Sequence, residues 1–358
     1  MPAHTRATTP SSVHVGSGPG STGDPLLAVD SLSVEFGTDY GTVHAVRDVS
    51  WYLQSGETLA ILGESGSGKS VSAQAVMGIL DMPPGRITSG AIRFRGTDLL
   101  TLPAKEQRAL RGESIAMVFQ DALSALNPVF TVGSQIAEMY RVHRGTSKKE
   151  AMEQAAELMT RVNIPSARDR VRDYPHQFSG GMRQRVMIAM ALALDPAVII
   201  ADEPTTALDV TVQAQIMDLL LTLQQENGMG IVLITHDLGV VAETADRVAV
   251  MYAGSIVETG PIGPLFSRPA HPYTVGLMNS MPRLDQMGGR LSPIHGSPPS
   301  LSDIPTGCSF HPRCPRAQAV CSVEAPPLRD VGPGGQSACH FAEDVLADGT
   351  AGPVVSHV

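Results

Sequence analysis

The sequence predicts an α/β fold with a mainly parallel sheet between residues 26 and 260. Three short apolar runs there, Glu57–Gly63, Ala197–Ala201 and Gly230–Thr235, have the length of buried strands. Continuous apolar runs are typical of parallel strands that are covered on both faces. Helix-like segments separate these runs, and such alternation indicates a parallel α/β domain.

The other elements follow from periodicity and from turn residues. The first segment alternates apolar and polar side chains, so it predicts an antiparallel part at the N-terminal end of the domain. In chain order, the expected elements are an antiparallel strand at Leu27–Phe36, a helix at Ser70–Leu80 that stops near Pro83 and Pro84, a strand at Ser114–Phe119, a solvent-facing helix at Ser147–Val162, and a hairpin at Arg247–Glu258 that turns at Ala253 and Gly254.

Composition divides the chain further. Residues 1–24 are small and polar, and residues 344–358 resemble them, so both are expected to be disordered tails. After His271 proline becomes frequent, the apolar periodicity weakens, and all four cysteines appear. We therefore expect a main domain over residues 25–265 and a small Cys-rich C-terminal extension over residues 266–343.

Charge and hydropathy limit the function. The formal net charge is −9, which disfavours a nucleic-acid partner, because proteins grip phosphate backbones with basic surfaces. No apolar run approaches the ~18–20 residues of a membrane span, and the first residues carry no signal segment. We expect a cytosolic protein that reaches a membrane only through a partner.

A phosphate-binding loop follows the apolar run Glu57–Gly63. Gly63-Glu-Ser-Gly-Ser-Gly-Lys69-Ser70 fits the pattern G-x-x-x-x-G-K-[ST], with a strand before it and a helix after it. The backbone of such a loop directs N–H groups at phosphate oxygens, and the helix adds its positive end. We expect Lys69 to reach the β and γ phosphates and Ser70 to bind Mg²⁺. The expected ATP-binding residues of the loop are Gly63, Ser65, Gly66, Gly68, Lys69 and Ser70. A glycine-rich turn with an exposed lysine is the less favoured alternative.

Two adjacent carboxylates end the strand that starts at Ala197. Asp202 is placed to hold Mg²⁺ or its waters, and Glu203 is placed to polarise the attacking water of phosphoryl transfer. Taken alone, two acids after a strand would more often cap a helix or face solvent. The phosphate loop makes the nucleotide interpretation stronger.

At this point the chain resembles the ATP-binding cassette (ABC) family. The segment Phe178–Arg185 is similar to the family's signature motif, with Phe178 and Met182 where Leu and Gln are common. Further motif residues follow in the family's order. They are Gln120 for the Q-loop, Ser179, Gly180 and Gly181 for the signature, Ala207-Leu208-Asp209 for the D-loop, and His236 for the switch histidine. Tyr40 lies where the family stacks an aromatic ring on adenine, and Phe36 is a competing candidate.

The resemblance implies an ATPase with defined roles. Glu203, His236 and Gln120 would be catalytic, and Gln120 would join Ser70 and Asp202 at Mg²⁺. Two cassettes, identical or paralogous, would pair head to tail, with ATP between the Lys69 loop of one and the Ser179 signature and Asp209 of the other. A helical subdomain at about residues 121–178 would receive the membrane partner.

The segment after His271 resembles the extension of oligopeptide and dipeptide importer ATPases. The matching residues are His271-Pro-Tyr-Thr274 and Leu277–Pro282. This likeness implies import of peptides, or of another solute such as nickel chelates. It also implies two transmembrane permease subunits, an extracytoplasmic substrate-binding protein, and a peripheral position at the cytoplasmic face of the inner membrane.

The four cysteines, Cys308, Cys314, Cys321 and Cys339, lie within about 32 residues. A cytosolic chain disfavours structural disulfides, and four thiolates can close one zinc site or one iron–sulfur cluster. Likeness to the importer subfamily favours a [4Fe–4S] cluster over zinc. Four unligated thiols remain an alternative.

Other phosphate-loop proteins fit less well. A soluble cassette in DNA repair or translation usually has two cassettes or a long coiled-coil insert, and neither is present. A GTPase would need an N-K-x-D motif, which the sequence lacks. A kinase would not need the pair formed by the Ser179 signature and His236.

Overall fold

The structure is a computed structural model, and it describes residues 23–206, 208–280 and 294–348. Most of both predicted tails, and part of the Leu277–Pro282 motif, lie outside these ranges, as does Ala207. The strands are β1 (Leu27–Thr38), β2 (Gly41–Leu53), β3 (Thr58–Leu62), β4 (Gly85–Phe94), β5 (Thr97–Asp98), β6 (Ile115–Val118), β7 (Val198–Asp202), β8 (Gly230–Thr235), β9 (Arg247–Tyr252), β10 (Ser255–Pro261), β11 (Arg329–Gly332) and β12 (Gly335–Ser337).

The helices lie between these strands and after them. They are α1 (Lys69–Met77), α2 (Ala104–Leu110), α3 (Ala122–Ala125), α4 (Val132–Arg144), α5 (Lys148–Arg161), α6 (Ala167–Arg170), α7 (Gly180–Leu192), α8 (Val210–Asn227), α9 (Leu238–Thr244), α10 (Ile262–Ser267), α11 (Pro272–Asn279) and α12 (Ala342–Ala347). Single 3-10 turns occupy Leu99–Thr101, Pro175–Gln177, His311–Arg313 and Ala319–Ser322.

Two sheets organise the molecule. One is antiparallel, in the order β2-β1-β4-β5, and the other has eight strands in the order β11-β12-β10-β9-β3-β8-β7-β6. Strands β9, β3, β8, β7 and β6 of the larger sheet are parallel to one another. The predicted α/β class, with a parallel sheet and a separate antiparallel part, is confirmed.

The parallel strands place the chemistry at one edge of the sheet. Every residue of β3, β7 and β8 is buried, which explains why their sequences are continuous apolar runs. Because they are parallel, their carboxyl ends meet at the same edge, where α/β proteins bind ligands. Gly63, Asp202 and His236 all lie at this edge.

Helix α1 ends earlier than the sequence predicts. The prediction places its stop near Pro83, but Met77 is its last residue. Gly78 adopts the left-handed φ of 61° and donates its N–H to the carbonyls of Ala75 and Gln74. This glycine cap closes the helix before the prolines are reached.

The C-terminal extension continues the main sheet. Strand β12 pairs with β10, so that Ser337 lies opposite Glu258. Phe310 is 2% exposed, and its ring packs edge-on against Tyr252 with 5.3 Å between centroids. The sequence does not reveal this pairing, because β11 and β12 are short and mostly polar. The extension therefore shares both the sheet and part of the core with the preceding domain.

The expectation that residues 344–358 form a tail is wrong for its first part. Helix α12 spans Ala342–Ala347 and buries Val345 at 3% exposure. Packing of this side chain stabilises a helix that is too short to be stable alone.

A buried carboxyl holds the start of the extension. Glu258 accepts hydrogen bonds from the N–H groups of Ala270, at 2.6 Å, and His271, at 3.1 Å. Its side chain is 3% exposed. Burial raises the pKa of Glu258 to about 7, an effect that outweighs these hydrogen bonds. The folded chain thus keeps a proton on Glu258 at pH values where an ordinary carboxyl loses it.

This carboxyl predicts a pH dependence of stability. Between its ordinary pKa of 4.5 and about 7, the unfolded chain releases the proton and the folded chain retains it. The free energy of unfolding of the wild type should therefore fall as pH rises through this window, by up to about 3 kcal/mol relative to Glu258→Gln. Denaturant unfolding of both proteins at about pH 5 and about pH 8 checks the difference. Parallel pH profiles would show that Glu258 ionises normally.

Candidate nucleotide site

The phosphate loop is a tight backbone cradle between β3 and α1. Gly68 has a φ of 102°, and a Cβ atom there would lie 2.2 Å from the carbonyl oxygen of Ala45. A Cβ at Gly63 would lie 2.2 Å from the carbonyl oxygen of Met251. Both positions therefore need glycine because the neighbouring backbone is too close for any side chain. Ser65 and Gly66 lie at the exposed tip of the loop.

Lys69 is folded back onto the loop. It is 5% exposed, and its Nζ donates to the carbonyl oxygens of Gly63 and Glu64, each at 2.9 Å. Burial lowers the pKa of Lys69, while the carboxylates of Glu203, Asp202 and Glu64 oppose that shift. The ammonium group thus lies inside the cradle, where a phosphate oxygen would be a stronger partner than a neutral carbonyl.

Ser70 and Asp202 form a pair of oxygen ligands. The Ser70 hydroxyl donates to Oδ1 of Asp202 at 3.1 Å, although the two residues are 132 positions apart. Burial raises the pKa of Asp202, and the hydrogen bond from Ser70 opposes the shift. Hydroxyl and carboxylate oxygens suit Mg²⁺, which prefers one or two protein ligands beside phosphate and water. These two side chains fit the predicted magnesium site.

Glu203 is the centre of a second group. Its Oε2 accepts hydrogen bonds from Gln120 Nε2 at 2.8 Å and from Thr206 Oγ1 at 2.9 Å. Nδ1 of His236 lies 3.2 Å from its Oε1. The φ of Glu203 is 46°, a left-handed value that non-glycine residues adopt rarely and often at functional sites. The structure thus brings the three predicted catalytic residues together, and Gln120 contacts Glu203 rather than the Ser70–Asp202 pair.

The signature residues lie at the start of another helix. Ser179 caps α7 by accepting a hydrogen bond from the N–H of Met182 at 3.4 Å, and Ser179 and Gly180 are exposed. A Cβ at Gly181 would lie 2.5 Å from Val212, on α8. Asp209 caps α8 through the N–H of Val212 at 3.0 Å. Within the described ranges, no hydrogen bond or ion pair joins Ser179–Gly181 to the phosphate loop.

Tyr40 and Phe36 differ in availability. Tyr40 lies at the β1–β2 turn, and its side chain is 98% exposed. Phe36 is partly buried and packs on the core beside Gly85. Only Tyr40 is therefore free to stack on a base without leaving its packing partners.

The four thiols of the extension line one small cavity. Cys321 is buried, and the other three are half-buried. His271, Phe310, His311 and Phe341 contribute to the same wall. Burial raises the pKa of the Cys308, Cys314 and Cys339 thiols, and that of Cys339 rises to about 11. Repulsion from the neighbouring thiolates raises these pKa values further. In the described part of the chain, no group of three or more His, Cys, Asp or Glu side chains is arranged to hold a metal ion.

Sequence reasoning missed two contacts of the phosphate loop. The carboxylate of Glu64 pairs with Arg313 of the extension. The backbone N–H of Glu64 donates to the Tyr273 hydroxyl at 2.9 Å. Glu64 falls at a position where the loop motif accepts any residue, and Arg313 is 249 residues away. Of these residues, only Tyr273 lies in a motif that the sequence analysis identified, the importer-like segment His271-Pro-Tyr-Thr274.

The chain is similar to known proteins over both the cassette and the extension. The family model described as "ABC transporter" matches residues 46–206, and the one described as "Oligopeptide/dipeptide transporter, C-terminal region" matches residues 257–321. The oligopeptide transport ATP-binding protein OppD of Salmonella typhimurium is 52% identical over 314 residues, which cover 88% of this chain and 93% of OppD. The chain belongs to the ABC transporter family.

Two further relatives are similar over most of this ABC protein. The dipeptide transport ATP-binding protein DppD of Bacillus subtilis is 52% identical, with 83% of this chain and 89% of DppD covered. A protein of Brucella abortus named as a putative peptide import ATP-binding protein is 49% identical, with 90% and 99% covered.

Solved structures place the fold among ABC cassettes. The ATP-binding cassette MJ0796, solved as a dimer with ADP and phosphate, has a TM-score of 0.60 and 28% identity, and it covers 66% of this chain and 98% of its own. The cbiO1 protein of Clostridium perfringens has a TM-score of 0.58 and 32% identity, covering 68% and 91%. The prediction of an ABC nucleotide-binding fold is confirmed.

Proposed function

We propose that this ABC ATPase powers the import of dipeptides or oligopeptides through partner permease subunits. The observation that carries the proposal is the likeness to peptide-import ATP-binding proteins, which extends over the extension as well as the cassette. Importers of other solutes, such as nickel chelates, would use the same ATP site. The solute is therefore a matter for transport measurements.

In the proposed reaction, the cradle binds ATP through its backbone. N–H groups from Ser65 to Ser70 would surround the phosphates, and Lys69 would exchange the carbonyls of Gly63 and Glu64 for phosphate oxygens. Tyr40 would stack on the adenine. Ser70 and Asp202, with Gln120, would hold Mg²⁺, which neutralises charge that develops on the transferred phosphoryl group.

Glu203 is proposed to orient and polarise the attacking water. Gln120 and Thr206 hold one of its carboxylate oxygens, and His236 lies beside the other. These contacts fix the carboxylate at the carboxyl edge of the sheet, where it can accept a hydrogen bond from water. Glu203 is only 15% exposed, so few competing waters reach it.

A second cassette is proposed to complete the site. Ser179 and Gly180 are exposed at the start of α7, and such a start favours anions. Asp209 is exposed at the start of α8, which its carboxylate caps. A second ATPase subunit, identical or paralogous, would bring its Ser179 signature to the phosphates held at Lys69. The dimeric arrangement of the cassette MJ0796 supports such a pairing.

Exposed apolar side chains mark a surface for the permease. Phe119, Leu123, Val129, Phe130 and Tyr174 are large and exposed. A hydrogen bond from the N–H of Val132 to the carbonyl of Asp173, at 2.9 Å, holds the loop before α4 beside Tyr174. Exposed apolar side chains in and next to the predicted helical subdomain favour a protein partner there.

The proposed setting is a peripheral one. No helix in the described ranges has the length and hydropathy to cross a membrane. We place the chain at the cytoplasmic face of the inner membrane, bound to two transmembrane permease subunits. An extracytoplasmic substrate-binding protein would deliver the peptide to those subunits.

We also propose that the four thiols hold a metal centre, a [4Fe–4S] cluster in preference to zinc. Cys308, Cys314, Cys321 and Cys339 line one cavity, and four thiolates are enough to close one such centre. Burial, and after it the repulsion between thiolates, favours the protonated form of Cys339, and a bound cation would offset both effects. The centre would cross-link a segment with little apolar core.

Glu203→Gln should separate binding from turnover. In proteoliposomes that contain the full transporter, this variant should bind ATP normally, hydrolyse it at least about 100-fold more slowly, and import no labelled peptide, because the amide cannot act as a base. Nucleotide binding, phosphate release and peptide uptake are the measurements.

Glu243→Gln is the matched control for that experiment. Glu243 is an exposed carboxylate on α9, and its loss should leave all three measurements unchanged. Full hydrolysis by Glu203→Gln would remove its proposed role. Uptake of a nickel chelate but not of peptides by the wild type would reject the proposed solute and keep the ATPase.

Metal analysis tests the thiol proposal. Protein purified without oxygen should contain about four iron atoms per chain and absorb visible light if it holds the cluster. Cys321→Ser should lose most of that iron, whereas Ser322→Ala, next to it and exposed, should keep it. About one zinc per chain in a colourless protein would select the zinc alternative, and absence of both metals would leave free thiols.

A further inference from the structure

A guanidinium of the extension is bonded to the phosphate loop. Arg313 ends the turn His311–Arg313, directly before Cys314. Its Nη1 lies 2.6 Å from Oε2 of Glu64, and its Nη2 lies 3.0 Å from Oε1. The two parallel bonds match the fork of a guanidinium to a carboxylate, which fixes direction as well as distance.

The surroundings make this pair rigid. The Arg313 side chain is 5% exposed and that of Glu64 is 27% exposed. Arg313 also donates from Nε to the carbonyl of His295 at 3.0 Å and from Nη2 to that of Gly296 at 3.3 Å. A planar guanidinium with these bonds has one orientation, unlike an exposed surface pair.

The main chain of Glu64 is held by the extension as well. The buried hydroxyl of Tyr273 accepts a hydrogen bond from the N–H of Glu64 at 2.9 Å. The Tyr273 ring packs against Tyr252, with 4.6 Å between centroids, and against Phe310, at 5.4 Å. Two residues of the extension therefore fix both the side chain and the backbone of one loop residue.

Glu64 in turn shapes the rest of the cradle. Its carbonyl oxygen accepts hydrogen bonds from Nζ of Lys69, at 2.9 Å, and from the N–H of Ser67, at 3.2 Å. A shift of Glu64 would move the acceptor that holds Lys69 and the turn that directs the loop N–H groups. Phosphate binding depends on the convergence of those groups.

We propose that Arg313 and Tyr273 are positioning residues of the ATP site, and that the Cys-bearing extension sets ATP affinity through Glu64. This inference rests on the proposed role of the loop at Lys69. It does not need a metal at the thiols, because the contacts of Arg313 and Tyr273 are made by the protein alone. Both residues act through Glu64, so they change how well the cradle is formed.

The test measures the dissociation constant of a fluorescent ATP analogue, with Mg²⁺, on the full chain. Arg313→Met keeps the length of the side chain and removes its charge and donors. It should weaken binding about tenfold, the scale of one charge-assisted bond. Arg313→Lys should recover part of the affinity, and Tyr273→Phe should weaken binding in the same direction.

A double variant separates positioning from nonspecific damage. Glu64→Gln alone should weaken binding as Arg313→Met does. The combination of both should be no weaker than either single variant, because the two side chains act as one unit. Losses that multiply in the double variant would overturn the proposal.

Arg247→Met is the matched structural control. Arg247 forms another largely buried ion pair, with its Nη1 2.8 Å from Oε1 of Glu57. Glu57 directly precedes β3, so this pair lies at the end of that strand opposite the phosphate loop. It should lower the melting temperature and leave ATP affinity unchanged. If Arg313→Met behaved in the same way, its role would be structural only. A wild-type chain that bound no nucleotide would instead reject the proposed function.

Discussion

The site depends on one constraint, the shared direction of buried strands. β3, β8 and β7 are neighbours and run parallel, so the residues that follow them meet at one edge of the sheet. That geometry brings Ser70 to Asp202 across 132 positions and sets His236 beside Glu203. No local turn could join these residues. The apolar strands thus supply both the core and the alignment of the chemistry.

The extension adds a second constraint on the phosphate loop. Its strand β12 pairs with β10 and so widens the sheet, and Phe310 joins the aromatic core around Tyr252. Glu258, buried beneath that junction, anchors the backbone at Ala270 and His271. From this base, Tyr273 and Arg313 reach Glu64 in the phosphate loop. The segment that carries the four thiols is therefore built into the wall of the nucleotide site.

Local motifs made much of the fold and the site predictable. The apolar runs located β3, β7 and β8, and the spacing from Gly63 to Ser70 located the cradle. What the sequence could not provide were contacts set by tertiary packing. Burial of Val345 turned part of an expected tail into α12, and Arg313 met Glu64 across 249 positions. The end of α1 differs from these, because its glycine cap at Gly78 is a local signal that the prediction passed over in favour of the later prolines. The spacing of the four cysteines along the sequence also cannot predict how their side chains are arranged. It limits only which of them can come together.

The most direct measurement is an experimental structure of the full chain with Mg²⁺ and a nonhydrolysable ATP analogue. The phosphates should lie in the cradle, with Nζ of Lys69 moved from the carbonyls of Gly63 and Glu64 to phosphate oxygens. Mg²⁺ should lie between Ser70 and Asp202, and the signature at Ser179 of a second chain should face the phosphates. Phosphates bound away from the Lys69 loop, or Mg²⁺ bound by neither Ser70 nor Asp202, would contradict the convergence of the strand ends on a single ATP site.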